Sequence, residues 1–276
     1  MTRKGKKKYP IKHWSYSSLM SFLRNPLAWY TRYVQEIYDV PASPASVVGR
    51  AGHHALEFFY QGTPKEEAIA RGLTYLRNVP DFELAFGKAK TKKEQRAKRV
   101  SMEDEYLQAI NFYLATPPRH KVIGAEVRGL AKIPGIPIPI KAISDLVVEA
   151  KGAPGMVDIV DHKFINSFSK SKEFALTFRL QALFNYYTVS AIYERPVRNF
   201  IVYECKKTKN ADGSPQLRRH VIKYADLAEE FRIFRKLLKD ATTEITRKRL
   251  YLPNPGDMFD GEHSFAIYRM NLVDEE

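Results

Sequence analysis

Two carboxylates and an ammonium at positions 145, 161 and 163 are the groups of this chain best placed by spacing to do chemistry together. They fall in the stretch from Ala142 to Lys163, AISDLVVEAKGAPGMVDIVDHK. Ile143 to Glu149 and Val157 to Phe164 are rich in β-branched residues, and Lys151-Gly152-Ala153-Pro154-Gly155 between them is turn chemistry. A hairpin closing about Gly152 and Ala153 sets position 145 opposite 160 or 161, so Asp145 and Asp161 meet across the ladder. Side chains alternate along a strand, so Asp161 and Lys163 project the same way. Adjacent carboxylates repel unless something positive neutralises them. Hard Mg²⁺ accepts one or two carboxylates while keeping several waters, and Lys163 beside it would hold a water or a phosphate oxygen. The same spacing also fits an ordinary ion pair on an exposed sheet face.

The elements that must position this patch lie on both sides of it. Ser15-Tyr16-Ser17-Ser18 offers helix caps before Leu19, Met20, Phe22 and Leu23, and Asn25-Pro26 breaks or restarts that helix. A second helix carries Gly49-Arg50-Ala51-Gly52-His53-His54-Ala55-Leu56-Glu57, in which His53 is either a ligand or a packed ring. Met102, Tyr106, Ile110 and Tyr113 recur at helical spacing and read as core. Val122 to Lys132 reads as a strand holding Glu126, and Glu173 to Tyr193 as a helix holding Gln181 and Tyr186. Arg198 to Lys207 and Leu217 to Tyr224 are two further strands, with Asp212-Gly213 as a hairpin signal between them. Residues 226–250 form an amphipathic helix.

The order Asp, hairpin, Asp-x-Lys resembles the core motif of the PD-(D/E)XK nuclease superfamily, most closely its RecB-like exonuclease branch. The serine-led helix, the Gly49–His53–Glu57 helix, Asp145, Asp161-His162-Lys163 and the Gln181 helix follow in that family's order over roughly residues 15 to 256. Each motif alone is common; five in order are specific. The resemblance implies a mixed α/β fold, a restriction-endonuclease-like central mixed sheet flanked by helices with an N-terminal helical lobe. It implies Asp145, Asp161, Lys163 and Gln181 as catalytic residues, with His53, Asp145 and Asp161 as ligands of Mg²⁺ or Mn²⁺. Glu126 would border the site. The family's Gln is followed four residues on by Tyr; here that position is Asn185, so Tyr186 is displaced by about 100° round the helix. Relatives usually have Gly where this chain has Ala142. Cluster-bearing relatives, among them the CRISPR adaptation nucleases, have cysteines where this chain has Asn25 and the segment from Tyr251 to Phe259, so no iron–sulfur cluster is expected.

Composition agrees with a polyanionic substrate. Lys plus Arg number 45 against 31 Asp plus Glu, a net charge of +14 over 276 residues. Seven of the twelve residues from Lys88 to Arg99 are basic, and Lys90, Lys92, Lys93, Arg96, Lys98 and Arg99 are candidates for contact with a DNA backbone. A solvated helix or exposed loop accounts for them equally. Cys205 is the only cysteine, which excludes an intrachain disulfide. No run of eighteen apolar residues and no signal-peptide core is present, so a soluble, cytoplasmic protein with no membrane association is expected. The expected organisation is a basic arm over residues 1–14 and one nuclease domain over 15–276. Within it, about 50–120 would be the helical lobe, 121–225 the catalytic sheet and 226–276 a C-terminal helix and tail. No Walker, Rossmann or helix-turn-helix pattern occurs, so a helicase would have to act as a separate partner. The function implied is a metal-dependent DNA nuclease acting on single strands or duplex ends in recombination, repair or phage DNA processing. A restriction-like endonuclease or an inactive nucleic-acid-binding adaptor on the same fold are the alternatives.

Overall fold

The computed structural model describes residues 9–38, 41–169, 171–211, 216–247, 250–252 and 254, with only the backbone described over 171–177. Residues 1–8 of the expected basic arm, the Asp212-Gly213 turn and most of the tail beyond Leu252 lie outside the described residues. Among the described residues, seven α-helices accompany a six-stranded mixed sheet, which is the α/β class expected. The elements are β1 (Trp14–Ser15), α1 (Tyr16–Arg24), α2 (Pro26–Trp29), α3 (Pro44–Tyr60), α4 (Lys65–Asn78), α5 (Lys92–Ala115), β2 (Val122–Ala131), β3 (Ile140–Glu149), β4 (Val157–Ile165), α6 (Ser171–Tyr193), β5 (Val197–Lys206), β6 (Leu217–Lys223) and α7 (Ala228–Thr246). Hydrogen-bonded order is β1-β3-β4-β5-β6, with β2 also on β3. The β3–β4 and β5–β6 pairs are antiparallel and β4–β5 is parallel.

The chain divides into two compact units. The first comprises Met1–Val40, Gly129–Ala142 and Ala228–Glu276. Ser15 caps α1 through a reciprocal bond with Ser18, satisfying two backbone donors at once. Asn25 accepts from the Ala28 N–H at 3.1 Å and so starts α2, with Pro26 at its first position. Trp14, Phe22, Trp29 and Tyr251 pack ring on ring at 5.0–5.9 Å, and the Trp14 indole N–H donates to Thr242 at 2.9 Å.

The second unit, Pro41–Arg128 and Ile143–Leu227, contains every residue that the sequence marks for chemistry. Its core joins α3, α4 and α5 to one face of the sheet: Val48, Ala55, Leu56, Leu76, Met102, Tyr106, Ile110 and Tyr113 bury against Leu146, Val148, Val160, Ile201 and Cys205. The expected helical stripe on α5 is thus core. That helix begins at Lys92 rather than earlier in the basic run. Thr91 caps it, and Glu94 accepts from the backbone of both Lys90 and Thr91, leaving Lys88 and Lys90 ahead of the helix. The hairpin turns through Gly152 and Gly155, both at positive φ, where a side chain would be strained.

Candidate active site

The β3–β4 ladder runs from Glu149↔Val157 to Leu146↔Val160, and the next pair in register is Asp145 and Asp161. The two carboxylates therefore stand one step beyond the last paired residues, where the strands part. The His162 N–H, left without a ladder partner on β3, donates to Asp145 Oδ2 at 2.6 Å. A side-chain carboxylate thus takes over from the backbone at the mouth of the hairpin. Beyond this point β4 continues on β5 alone, with Asp161↔Val202 and Lys163↔Glu204 in register.

Helices approach this mouth from both faces. On the α3 side, His53 Nδ1 lies 3.1 Å from Asp145 Oδ2, and Gly52 lets the helix pass close to the Phe164 ring. On the α6 side, Gln181 Nε2 donates to Asp161 Oδ1 at 2.7 Å. Lys163 Nζ lies 3.0 and 2.7 Å from the two oxygens of Asp161. Asn185 accepts from Ser144 at 2.6 Å and donates to the Gln181 carbonyl, pinning α6 to β3. Tyr186 instead packs on Tyr224 at 4.8 Å and Tyr187 at 5.7 Å.

Glu126 reaches the same place from β2. His53, Glu126 and Asp145 each offer a ligand atom, and the three atoms lie within 4.8 Å of one another. They line one crevice with Glu57 and His162. Glu126 sits at φ 49°, a left-handed conformation unusual for a side-chain-bearing strand residue. Such strain persists where the surrounding structure enforces it, and here it falls on a candidate ligand. Asp161, expected among the ligands, lies outside this trio and against Lys163 and Gln181.

The electrostatics are those of a site short of positive charge. Burial alone would raise Asp145, but the His53 charge and hydrogen bonds from His162 and His53 hold it well below the usual carboxylate range. Burial would lower His53, yet Asp145 outweighs it and raises the imidazole. Glu126 is raised by burial and then by Asp145 and Glu57. Asp161 is raised by burial, with Lys163 opposing and Asp145 reinforcing the shift. One carboxylate is satisfied by the imidazoles; the other two hold their protons more tightly than a free acid.

The basic candidates on α5 divide. Lys92, Lys93 and Arg96 are exposed and Lys98 is half-buried. Arg99 is a brace: it pairs with Asp81 at 2.6 Å and donates to the Leu76 carbonyl at 3.4 Å, tying α5 to the end of α4. His120, which sequence reading passed over, has a buried Nε2 without a hydrogen-bond partner among the described residues. Burial first, and then His162 and Arg219, push its pKa down to about 4. Between pH 6.5 and 4 the unfolded chain then binds the extra proton, so stability falls as pH falls through that window. Urea unfolding at pH 7 and pH 5 should show wild type losing about 1–2 kcal/mol more than His120→Gln, after allowance for solvent screening at a half-buried ring. Parallel losses in the two proteins would remove His120 as the cause.

A family model for the PD-(D/E)XK nuclease superfamily matches residues 13–258. No curated protein sequence matches the chain. Among solved structures, a protein inferred to be an exonuclease from Eubacterium rectale is 14% identical, with a TM-score of 0.50 over 86% of this chain and 80% of that one. An alkaline exonuclease from Laribacter hongkongensis is 13% identical, with a TM-score of 0.26 over 75% of this chain and 92% of that one. Among the described residues no helix is long and apolar enough to cross a membrane.

Proposed function

The chain belongs to the PD-(D/E)XK nuclease superfamily, and from that premise we propose that it is a divalent-metal-dependent DNA exonuclease. The observation that carries this reading is the meeting of Asp145, Asp161 and Lys163 at the mouth of one hairpin, with His53 on one side and Gln181 on the other. One nitrogen and two oxygens within 4.8 Å, with Glu126 raised by burial and then by Asp145 and Glu57, fit a divalent cation. His53, Glu126 and Asp145 would hold it, with Asp161 completing the set, and the imidazole leans the site towards Mn²⁺. When bound, such an ion lowers the pKa of a water and offsets charge on a phosphate.

The protein's own groups do the rest. Gln181 and Lys163 hold Asp161 between them. The Lys163 ammonium would orient the attacking water and face the charge developing on the scissile phosphate. Water oxygen bonds to phosphorus, the bond from phosphorus to the 3′-oxygen breaks, and that oxygen takes up one of the water's protons. The products are a 3′-hydroxyl and a 5′-phosphate. Lys92, Lys93 and Arg96, exposed on α5, would contact backbone phosphates. The exonuclease reading is supported by the fold shared with the inferred exonuclease from Eubacterium rectale.

The test is cleavage of end-labelled single- and double-stranded linear DNA beside a covalently closed circle and an RNA strand, with Mg²⁺, Mn²⁺ or EDTA. Metal-dependent loss of linear DNA alone is expected. Cutting of the circle would replace exonuclease by endonuclease, and binding without cleavage under either ion would leave an adaptor. Metal should also stabilise the fold: at a concentration about 100 times its dissociation constant it adds about 2.7 kcal/mol. That corresponds to about 5–10 °C in melting temperature, reversed by EDTA. A melting temperature indifferent to both ions would count against the metal site.

A further inference from the structure

His162, between the two motif residues Asp161 and Lys163, is buried to 2% exposure on the sheet face opposite them. Of the two residues before it on that face, Asp158 pairs with Arg198 and Val160 lies in the core beneath α3 and α5. An apolar side chain would suit the position without the cost of burying an imidazole. The ring nevertheless meets a polar group at each end. Its Nδ1 lies 3.5 Å from Asp145 Oδ2, and its Nε2 lies 2.8 Å from the Tyr113 hydroxyl. Tyr113 in turn meets the Tyr60 hydroxyl at 3.0 Å, and Tyr60 donates to the Pro118 carbonyl at 3.1 Å. The Tyr60 and Tyr203 rings lie near-parallel to the imidazole, within 19°, at centroid distances of 5.9 and 6.1 Å.

We propose that His162 is a positioning residue, which fixes the Asp145 carboxylate so that its Oδ1 is the oxygen presented to the cation. This rests on the metal-dependent reading above. A carboxylate has two equivalent oxygens and turns freely about its Cβ–Cγ bond unless one is held. Here three contacts converge on Oδ2: the His162 backbone N–H, the His53 ring and the His162 ring. The Tyr113–Tyr60 pair extends the hold to α3. Tyr60 is seven residues, two turns, from His53, so one helix face carries both the ligand and the far end of the chain. Partners that orient a ligand in this way are worth about 10–100-fold in metal affinity or activity.

The experiment is Mn²⁺ binding by EPR titration of the metal-free protein, with the Mg²⁺ midpoint of DNA cleavage measured in parallel and melting as a folding control. His162→Phe keeps the stacked ring and loses both bonds; His162→Asn puts an amide where Nδ1 was. The Phe variant should bind Mn²⁺ about 10–100-fold more weakly and shift the Mg²⁺ midpoint by a like factor. The Asn variant should stay within about threefold of wild type. Tyr113→Phe, which removes one hydroxyl from the core, should weaken binding about 3–10-fold and serves if the first variant does not fold. Wild-type affinity in both Phe variants overturns the proposal, as does equal loss in Asn and Phe variants accompanied by equal melting loss. Wild type that takes no Mn²⁺ overturns the metal-dependent reading and this inference with it. Binding without cleavage overturns the nuclease alone and leaves the His162 comparison readable.

Discussion

Asp161→Asn should lower cleavage by about 10³-fold or more while leaving the fold intact. The carboxylate is 4% exposed and is gripped by Lys163 at 2.7 Å and Gln181 at 2.7 Å, so an amide of the same shape fits the space. It removes the charge that holds the Lys163 ammonium and that would complete the ligand set. Groups acting as a unit on developing charge each cost about 10²–10³-fold or more when removed. The folding outcome follows from the direction of the shift. Asp161 is raised in the fold by burial, with Asp145 reinforcing and Lys163 opposing the shift, so relief of a buried charge offsets part of what the lost Lys163 pairing costs. The variant should therefore melt close to the wild-type temperature in EDTA and lose part of the rise produced by Mg²⁺. Lys163→Met should be similarly inactive, and the double variant little worse than either single one, because the pair works together. Cleavage within tenfold of wild type in Asp161→Asn would falsify the site assignment.

The second large effect is on stability, far from the chemistry. Gly72 lies on α4 against α3 and α5, and a Cβ there would stand 2.1 Å from the Tyr106 hydroxyl and 2.7 Å from the Ala51 carbonyl oxygen. The hydroxyl cannot retreat without loosening its 2.7 Å bond to the Ile69 carbonyl, and the Ala51 carbonyl is helix backbone. Alanine normally favours a helix over glycine by about 1 kcal/mol. Here overpacking reverses the sign, and Gly72→Ala should cost about 2–3 kcal/mol. Urea unfolding reads this directly. Adding Tyr106→Phe should recover part of the loss by removing the nearer clash, but not all, since the backbone contact remains. A stabilised Gly72→Ala protein would show that the helices are not packed this closely.

Much of the site was legible in the residues. Turn chemistry at Gly152–Gly155 and two β-branched runs are local signals, and strand alternation is a matter of geometry, so the meeting of Asp145 with Asp161 follows from counting. The register agrees, Leu146 opposite Val160 placing 145 opposite 161. The helical stripe from Met102 to Tyr113 was equally readable, because apolar residues at helical spacing have to be buried somewhere. The start of α5 was harder to place: a charged run has no apolar period, and only the Thr91–Glu94 cap marks where it turns helical. Arg99 shows the limit of reading charge from sequence. It belongs to a basic run, yet its guanidinium is spent on Asp81 and the backbone carbonyls of Leu76 and Val79.

What the amino-acid sequence determined by itself, then, is which residues share a strand face or a helix face, and the family to which the five motifs belong. Those are consequences of periods of 2.0 and 3.6 residues. What only the tertiary structure decided is how the faces meet. Glu126 is brought to His53 and Asp145 by a left-handed residue within β2, which no alternation rule anticipates. Asp161 is turned to Lys163 and Gln181, while Asp145 is held by two imidazoles. His162, by alternation on the face away from Asp161, reaches Asp145 because the strands part at that point and the carboxylate enters the gap. Contacts of that kind join residues tens of positions apart on three elements, and their energies depend on burial and distance, neither of which a linear order of residues contains.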